Sequence, residues 1–285
     1  MKPEATIMMP VRNEERFLPE VLCSALNQTY DGIYEVVLLN DASTDSTPRI
    51  AEDWARGHSN LRVLHQEKKS IGETRNRLLE ESKGNFLFCV DADDRIHPQA
   101  LTKVIDFYQR TPGVGLVYTD QRCISEEGKV LYEGRKAECH EYFDTLLYFT
   151  HFFGHLRSFR KDLIRGVKFD TLLQTGEDWD FIFQISPFTK KGHVPEILYD
   201  YRLNSEGISG TLPKEDRRRI SVDLVKKYIL AHNLYPGAQN IEVVVVADGD
   251  HAIHYEHIVD GKRTMDPKAK EALMRYFLNY KQPMN

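Results

Sequence analysis

Short apolar runs separated by amphipathic stretches organise the first 120 residues. Ala5–Met9 is an apolar run of strand length. After it, Leu18, Val21, Leu22, Ala25 and Leu26 recur at i, i+3, i+4, i+7 and i+8, the spacing of one helix face. Asn13 is placed to cap that helix, and Glu14 and Glu15 suit its positive end. Glu35–Leu39 reads as a buried strand, followed by the polar loop Asn40–Thr47. Thr47 as N-cap, Pro48 in the first turn and Gly57 past the end bound a second helix. A third strand at Leu61–Leu64 leads to a helix opened by Ser70 and Glu73 at capping-box spacing and closed by Gly84. Asn85–Val90 is a fourth strand that runs directly into Asp91, Ala92, Asp93 and Asp94. A helix from Pro98 sets Leu101, Val104, Ile105 and Tyr108 on one face, and a strand follows at Val114–Thr119. Regular alternation of this kind predicts an α/β fold with a mostly parallel central sheet flanked by helices.

After residue 120 the rhythm changes. Gln121–Tyr132 reads as a hairpin around Glu127 and Gly128, and an aromatic helix is expected from Glu141. A strand at Leu156–Arg160, a helix from about Glu177 and a strand over Glu196–Arg202 come next. Beyond Leu212 a charged helix, a hairpin of Ile241–Ala247 with Ile253–Thr264, and a helix over Pro267–Tyr280 make a small C-terminal α+β extension. The chain is accordingly divided into 1–211 and 212–285.

Composition narrows the function classes. A net charge of -5 argues against a nucleic-acid binder, which would show a basic surface. The basic stretch Lys214–Lys227 is interleaved with acids and reads as a solvated helix face. The 4 cysteines include no CxxC pair. Cys23 and Cys89 lie inside apolar patterns and read as small core residues, and a reducing, cytoplasmic setting fits. No run approaches the ~20 apolar residues of a membrane span; the nearest, Leu146–Leu156, is short and holds two histidines.

The chemistry concentrates where strands end. In an open parallel sheet ligands bind at the carboxyl ends of the strands. Those positions are acidic here: Asp41 after the second strand, Asp91 and Asp93 after the fourth. Carboxylates converging on one rim repel each other, and a divalent cation that also bridges substrate phosphates resolves the repulsion. There is neither a GxxxxGK[ST] loop nor a GxGxxG after the first strand, which disfavours P-loop and dinucleotide-binding folds. A metal together with Arg75 would serve a diphosphate instead. Glu177 and Asp178 open a helix after Gly176, where the helix dipole favours an ionised base. His151 and His155 flank Gly154 and are candidates to line a pocket. His251, His254 and His257 resemble a metal cluster, but strand alternation turns His254 away from the other two, so solvated or core histidines are the better reading.

Four ordered motifs together resemble the inverting glycosyltransferases of family 2, from about residue 5 to residue 209. They are MMPVRNEERFLPEVLCSALNQTY, VVLLNDASTDST, GETRNRLLEESKGNFLFCVDADD and GEDWDF. The resemblance implies a GT-A fold, with a nucleotide-binding part to about residue 120 and an acceptor part over 121–211. It implies that Pro10, Val11, Glu14 and Asp41 surround the nucleotide, that Arg75 lies near it, and that Asp91 contacts the ribose or donor sugar. By the same resemblance Asp93 binds Mn2+ or Mg2+, Asp178 is the base and Glu177 assists the acceptor. On the residues alone, Trp179 could stack on a sugar ring and His155 could line the acceptor pocket. The expected activity is transfer of a sugar from a nucleotide diphosphate, in first place a UDP-sugar, to a hydroxyl of a saccharide, glycolipid or other acceptor. Cell-surface polysaccharide or glycolipid assembly is the expected setting, in the cytoplasm or at the inner face of a membrane. Where the family often carries Tyr-Arg-x-His, this chain has Tyr201, Arg202, Leu203 and Asn204, and Asn is a weaker ligand for a transition metal. A non-catalytic nucleotide-sugar-binding or scaffold protein and a sugar-phosphate nucleotidyltransferase remain as alternatives. The extension after residue 212 could bind acceptor, pair subunits or dock on a membrane.

Overall fold

A computed structural model describes residues 2–134, 154–164, 166–205, 207, 211, 213–231, 233–248 and 251–264. The chain falls into two compact units, 1–136 with 153–211, and 137–152 with 212–285.

The first unit is built on strands β1 (Ala5–Val11), β2 (Tyr34–Asp41), β3 (Leu61–Gln66), β4 (Phe86–Cys89), β5 (Arg95–Ile96), β6 (Val114–Ile124), β7 (Val130–Gly134), β8 (Arg157–Arg160) and β9 (Lys190–Arg202). Its helices are α1 (Leu18–Leu26), α2 (Thr47–Gly57), α3 (Ile71–Glu81), α4 (Ala100–Arg110) and α5 (Glu177–Ile185). One sheet runs in the order β3-β2-β1-β4-β8-β6-β9-β5, with β7 paired to β6. β1, β2, β3 and β4 are mutually parallel, as are β6 and β9. β8 enters antiparallel between β4 and β6. The architecture is the mostly parallel α/β sheet that the alternation predicts, with one reversed strand at its centre.

Burial explains these elements. β1 is covered on both faces, with Ile7 and Met9 at 0% exposure on one and Thr6 at 0% and Met8 at 3% on the other, as an interior parallel strand requires. The α1 stripe Leu18, Val21, Leu22 and Ala25 is buried against the same core as Leu38, Phe88, Leu101 and Val117. The capping box of α3 is present, with Ser70 Oγ accepting from the Glu73 N–H and the Glu73 carboxylate accepting from the Ser70 N–H. The hairpin of β6 and β7 turns at Gly128, although β6 continues unbroken from Val114.

Four local expectations are corrected. Asn13 does not cap α1: it has a positive φ of 54°, and its side chain accepts from the Thr44 N–H across the rim, while α1 starts at Leu18 behind Phe17. Thr47 is the first helical residue of α2 rather than its cap, and its hydroxyl accepts from the Glu14 N–H. In both cases a tie between the β1 and β2 loops takes the polar group that a helix end would otherwise use. Gly84 does not close α3, which ends at Glu81; a Cβ there would lie 2.5 Å from the Ala5 carbonyl carbon, so glycine lets the chain cross β1 closely. Cys23 is exposed, whereas Cys89 and Cys123 are buried.

In the second unit, α6 (Lys214–Ala231) packs on the sheet β10 (Ile241–Asp248), β11 (His251–Val259) and β12 (Lys262–Thr264), all antiparallel. His257 is a core histidine at 0% exposure, its Nδ1 2.7 Å from the Tyr235 hydroxyl. The helices expected from Glu141 and over Pro267–Tyr280, Cys139, His151 and the side chains of His251 and His254 lie outside the described residues. Among the described residues no helix is long and apolar enough to cross a membrane.

Candidate active site

The parallel strands β2, β1 and β4 deliver their carboxyl ends side by side, and the candidate residues sit on that rim. Val11 ends β1 opposite Asn40, and Asp41 ends β2. The Asp41 side chain is buried, and its Oδ1 accepts from Gln66 Nε2 at 2.9 Å and from the Lys69 N–H at 2.8 Å. Gln66 also donates to Thr74 at 2.8 Å, which fixes the first turn of α3 to this rim.

Beyond β4 the chain makes a tight turn closed by the Asp94 N–H to the Asp91 carbonyl, 3.2 Å. The three acids of this turn have different surroundings. Asp94 is 1% exposed; its oxygens accept from the Tyr199 hydroxyl at 2.7 Å and the Arg202 N–H at 2.6 Å. Burial and the charges of Asp93 and Asp91 push its carboxyl well above the usual range. Asp94 therefore anchors the turn to β9. The Tyr199 hydroxyl also accepts from the Asp91 N–H at 3.2 Å, and Arg202, fully buried, donates from Nε to the Asp93 carbonyl at 2.6 Å. These bonds present Asp91 and Asp93 at the rim.

Arg75 on α3 joins that turn to α5. It donates to Asp91 Oδ1 and to Glu177 Oε1, both at 3.0 Å. Burial works to discharge Arg75, but Asp91 and then Glu177 outweigh it and keep the guanidinium charged. In return, Arg75 overcomes the effect of burial on Asp91 and holds that carboxyl below its ordinary value. Glu177 is more enclosed; burial, then the neighbouring Asp178 charge, push it up to about 7. Asp93 makes no ion pair among the described residues. Its Oδ2 accepts from Asn204 Nδ2 at 3.2 Å, and burial with the Asp91 charge raises its carboxyl to about 6.

Gly176, with φ 80°, reverses the backbone ahead of α5, a conformation that glycine adopts without strain. Glu177, Asp178 and Asp180 fill the first helical turn, where the dipole favours anions. Asp178 Oδ1 accepts from the Trp179 N–H at 2.8 Å, and Oδ2 is ion-paired to Arg157 of β8. Burial works to raise Asp178, but Arg157, and after it Arg75, hold it below the usual carboxylate range. The Arg157 guanidinium lies 6.0 Å from the Trp179 ring centroid. His155 stacks on Tyr199 at 5.0 Å and Tyr201 at 5.5 Å, and burial and Arg157 lower its imidazole to about 3, so it is neutral.

Thus Arg75, Asp91, Glu177, Asp178, Trp179 and His155 share one network, while Asp93 sits on the same turn facing Asn204. Pro10, Val11, Glu14 and Asp41 lie along the neighbouring strand ends. Sequence reading gave no role to Arg157, Tyr199 or Arg202. A signal for Arg157 exists, since it lies in phase with the apolar Phe159, and alternation then puts a cation on the face that Phe159 buries. Among the described residues no three His, Cys, Asp or Glu side chains are grouped to hold a metal by themselves.

The sequence model of "Glycosyl transferase family 2" matches residues 6–167. The chain is 27% identical to the chondroitin synthase of Escherichia coli over 208 residues, 73% of this chain and 30% of that protein, so it spans under a third of that relative's length. Its fold is similar to S. aureus TarS 1-349 in complex with UDP-GlcNAc, with TM-score 0.65, 20% identity, and coverage of 81% of this chain and 67% of that one. It is likewise similar to the mannosyltransferase PcManGT from Pyrobaculum calidifontis in complex with GDP-Man and Mn2+, with TM-score 0.60, 22% identity, and coverage of 81% and 65%.

Proposed function

Because the chain belongs to glycosyl transferase family 2, we propose that it transfers a sugar from a nucleotide diphosphate donor, in first place a UDP-sugar, to an acceptor hydroxyl with inversion at the anomeric carbon. The observation that carries this reading is the placement of the Asp91–Asp94 turn and the acid-opened helix α5 on one rim, joined by Arg75. Pro10, Val11, Glu14 and Asp41 along the adjoining strand ends are assigned to the nucleoside, and Asp91 to the ribose or donor sugar. Residues 1–211 are taken as the catalytic domain.

A divalent ion fits the Asp93 position. That carboxylate makes no ion pair among the described residues, and burial with the Asp91 charge raises its titration, an effect that a cation there would offset. One carboxylate with diphosphate oxygens and water completing the shell is the usual arrangement for Mg2+ and serves Mn2+ equally. When bound, the ion supplies charge neutralisation to the departing diphosphate. The Asn204 amide, which donates to Asp93 at 3.2 Å, would contact that ion or the diphosphate.

The chain's own groups account for the rest. Asp178 takes the proton of the acceptor hydroxyl as its oxygen bonds to the anomeric carbon. The bond from that carbon to the diphosphate oxygen breaks, and the nucleoside diphosphate leaves with the electron pair. A single carboxylate base with no covalent intermediate gives inversion. Glu177 braces the acceptor side through Arg75, Trp179 offers a ring face to a sugar, and His155 offers a neutral imidazole. The chondroitin synthase relative favours a saccharide acceptor in polysaccharide assembly.

Calorimetry of UDP, GDP and dTDP with and without Mn2+ tests this reading. Metal-dependent binding of one nucleotide, lost in Asp93→Ala with the fold retained, is expected. Absence of binding for all three would return the scaffold alternative.

A further inference from the structure

Arg157 is a site cation that issues from the middle of the sheet. Its backbone pairs with Cys89 of β4 on one side and Tyr118 of β6 on the other, and the residue is 6% exposed. Its guanidinium is bound to Asp178 Oδ2 and lies beside Trp179, while the N–H of Trp179 takes Oδ1 of the same carboxylate. Both carboxylate oxygens are thus fixed from different elements, one from β8 and one from the helix backbone. A buried guanidinium costs several kcal/mol of desolvation, and an apolar side chain of similar volume is often as stable or better. Fold stability therefore does not account for a cation at this position.

We propose that Arg157 is a positioning residue of the transfer step, clamping the Asp178 carboxylate in one orientation for the acceptor hydroxyl. The proposal rests on the reading of Asp178 as the base. The same clamp has an electrostatic cost. Asp178 is faced by Arg157 from β8, Arg75 from α3, His155 from the segment before β8, Asp91 from the β4 turn and Glu177 on its own helix. The two arginines prevail, so Asp178 is ionised at neutral pH but weakly basic. A weak base depends on placement, and a misplacement of ~1 Å can cost about 100-fold in rate. The clamp exchanges basicity for orientation.

Carbon-13 carboxyl NMR, with Asp178→Asn to assign the signal, follows the titration of Asp178 in the parent, Arg157→Met and Arg157→Lys. The parent is expected to titrate below the ordinary carboxylate range. Arg157→Met is expected to shift the midpoint to higher pH and, with UDP-GlcNAc and Mn2+ as probe, to move the acidic limb of kcat/KM the same way. Arg157→Lys keeps the charge but not the fork, so its midpoint stays near the parent while kcat falls at least about tenfold and donor KM is unchanged. A parent midpoint in the ordinary range, an unmoved midpoint in Arg157→Met, or parental kcat in Arg157→Lys overturns the proposal. The first and third readings stand even where Arg157→Met does not fold. Parental kcat in Asp178→Asn would instead remove the base assignment on which the proposal rests.

Discussion

Arg75 shows how much one side chain carries at the residue scale. At 12% side-chain exposure it neutralises Asp91 and Glu177 together, two acids separated by 86 positions in the chain. Arg75→Met leaves both carboxylates without the cation that bridges them. Breaking a buried pair in this way costs about 3–5 kcal/mol, and urea unfolding is expected to show a loss of that order. Adding Glu177→Gln should recover part of it, because one of the stranded charges is then gone. An additive double variant would mean that the two residues do not interact. Arg75 and both its partners were legible as candidates from their motifs. Their bonds to each other were not, since nothing along the chain states that α3 and α5 meet.

At the scale of elements, helix starts decide where the site residues point. The Ser70–Glu73 capping box fixes the first turn of α3, one turn before Arg75. Ser70→Ala is expected to lower stability by about 1 kcal/mol, the usual worth of such a cap, measured by urea unfolding at neutral pH. No change in midpoint would mean that the Gln66–Thr74 and Thr74–Ser70 bonds alone hold that turn. This cap was readable from spacing because both partners are local. The caps expected from Asn13 and Thr47 failed for the opposite reason. Their polar atoms are claimed by partners 31 and 33 residues away in sequence, and a long-range bond leaves no trace in local spacing. The reversed insertion of β8 is of the same kind: Leu156–Arg160 was readable as a strand, but not its neighbours or its direction.

The stability of the whole molecule should depend on pH through the acids enclosed in the site. Burial raises Glu177 from 4.5 to about 7, so the folded protein holds that proton more tightly than the unfolded chain does. The sign follows: this contribution is full below pH 4.5 and is lost as pH rises through about 7. At ~1.4 kcal/mol per unit, the shift from 4.5 to about 7 amounts to on the order of 3 kcal/mol. Asp178, held low, acts the other way and only at more acidic pH, outside this window. Thermal unfolding of Glu177→Gln should therefore fall less steeply than that of the parent between pH 4.5 and 8. Parallel slopes would show that Glu177 titrates as an ordinary carboxyl. The sequence by itself determined the alternation of strands and helices, the acidic strand ends and the acid-opened helix. Each depends on periodicity or on neighbours within a turn, which the chain writes locally. Only the tertiary structure decided that Asp94 is an anchor while Asp91 and Asp93 face the rim, that Arg75 bridges two motifs, and that Arg157 grips Asp178. Those outcomes depend on which buried charge finds which partner, and the order of strands in the sheet settles that pairing.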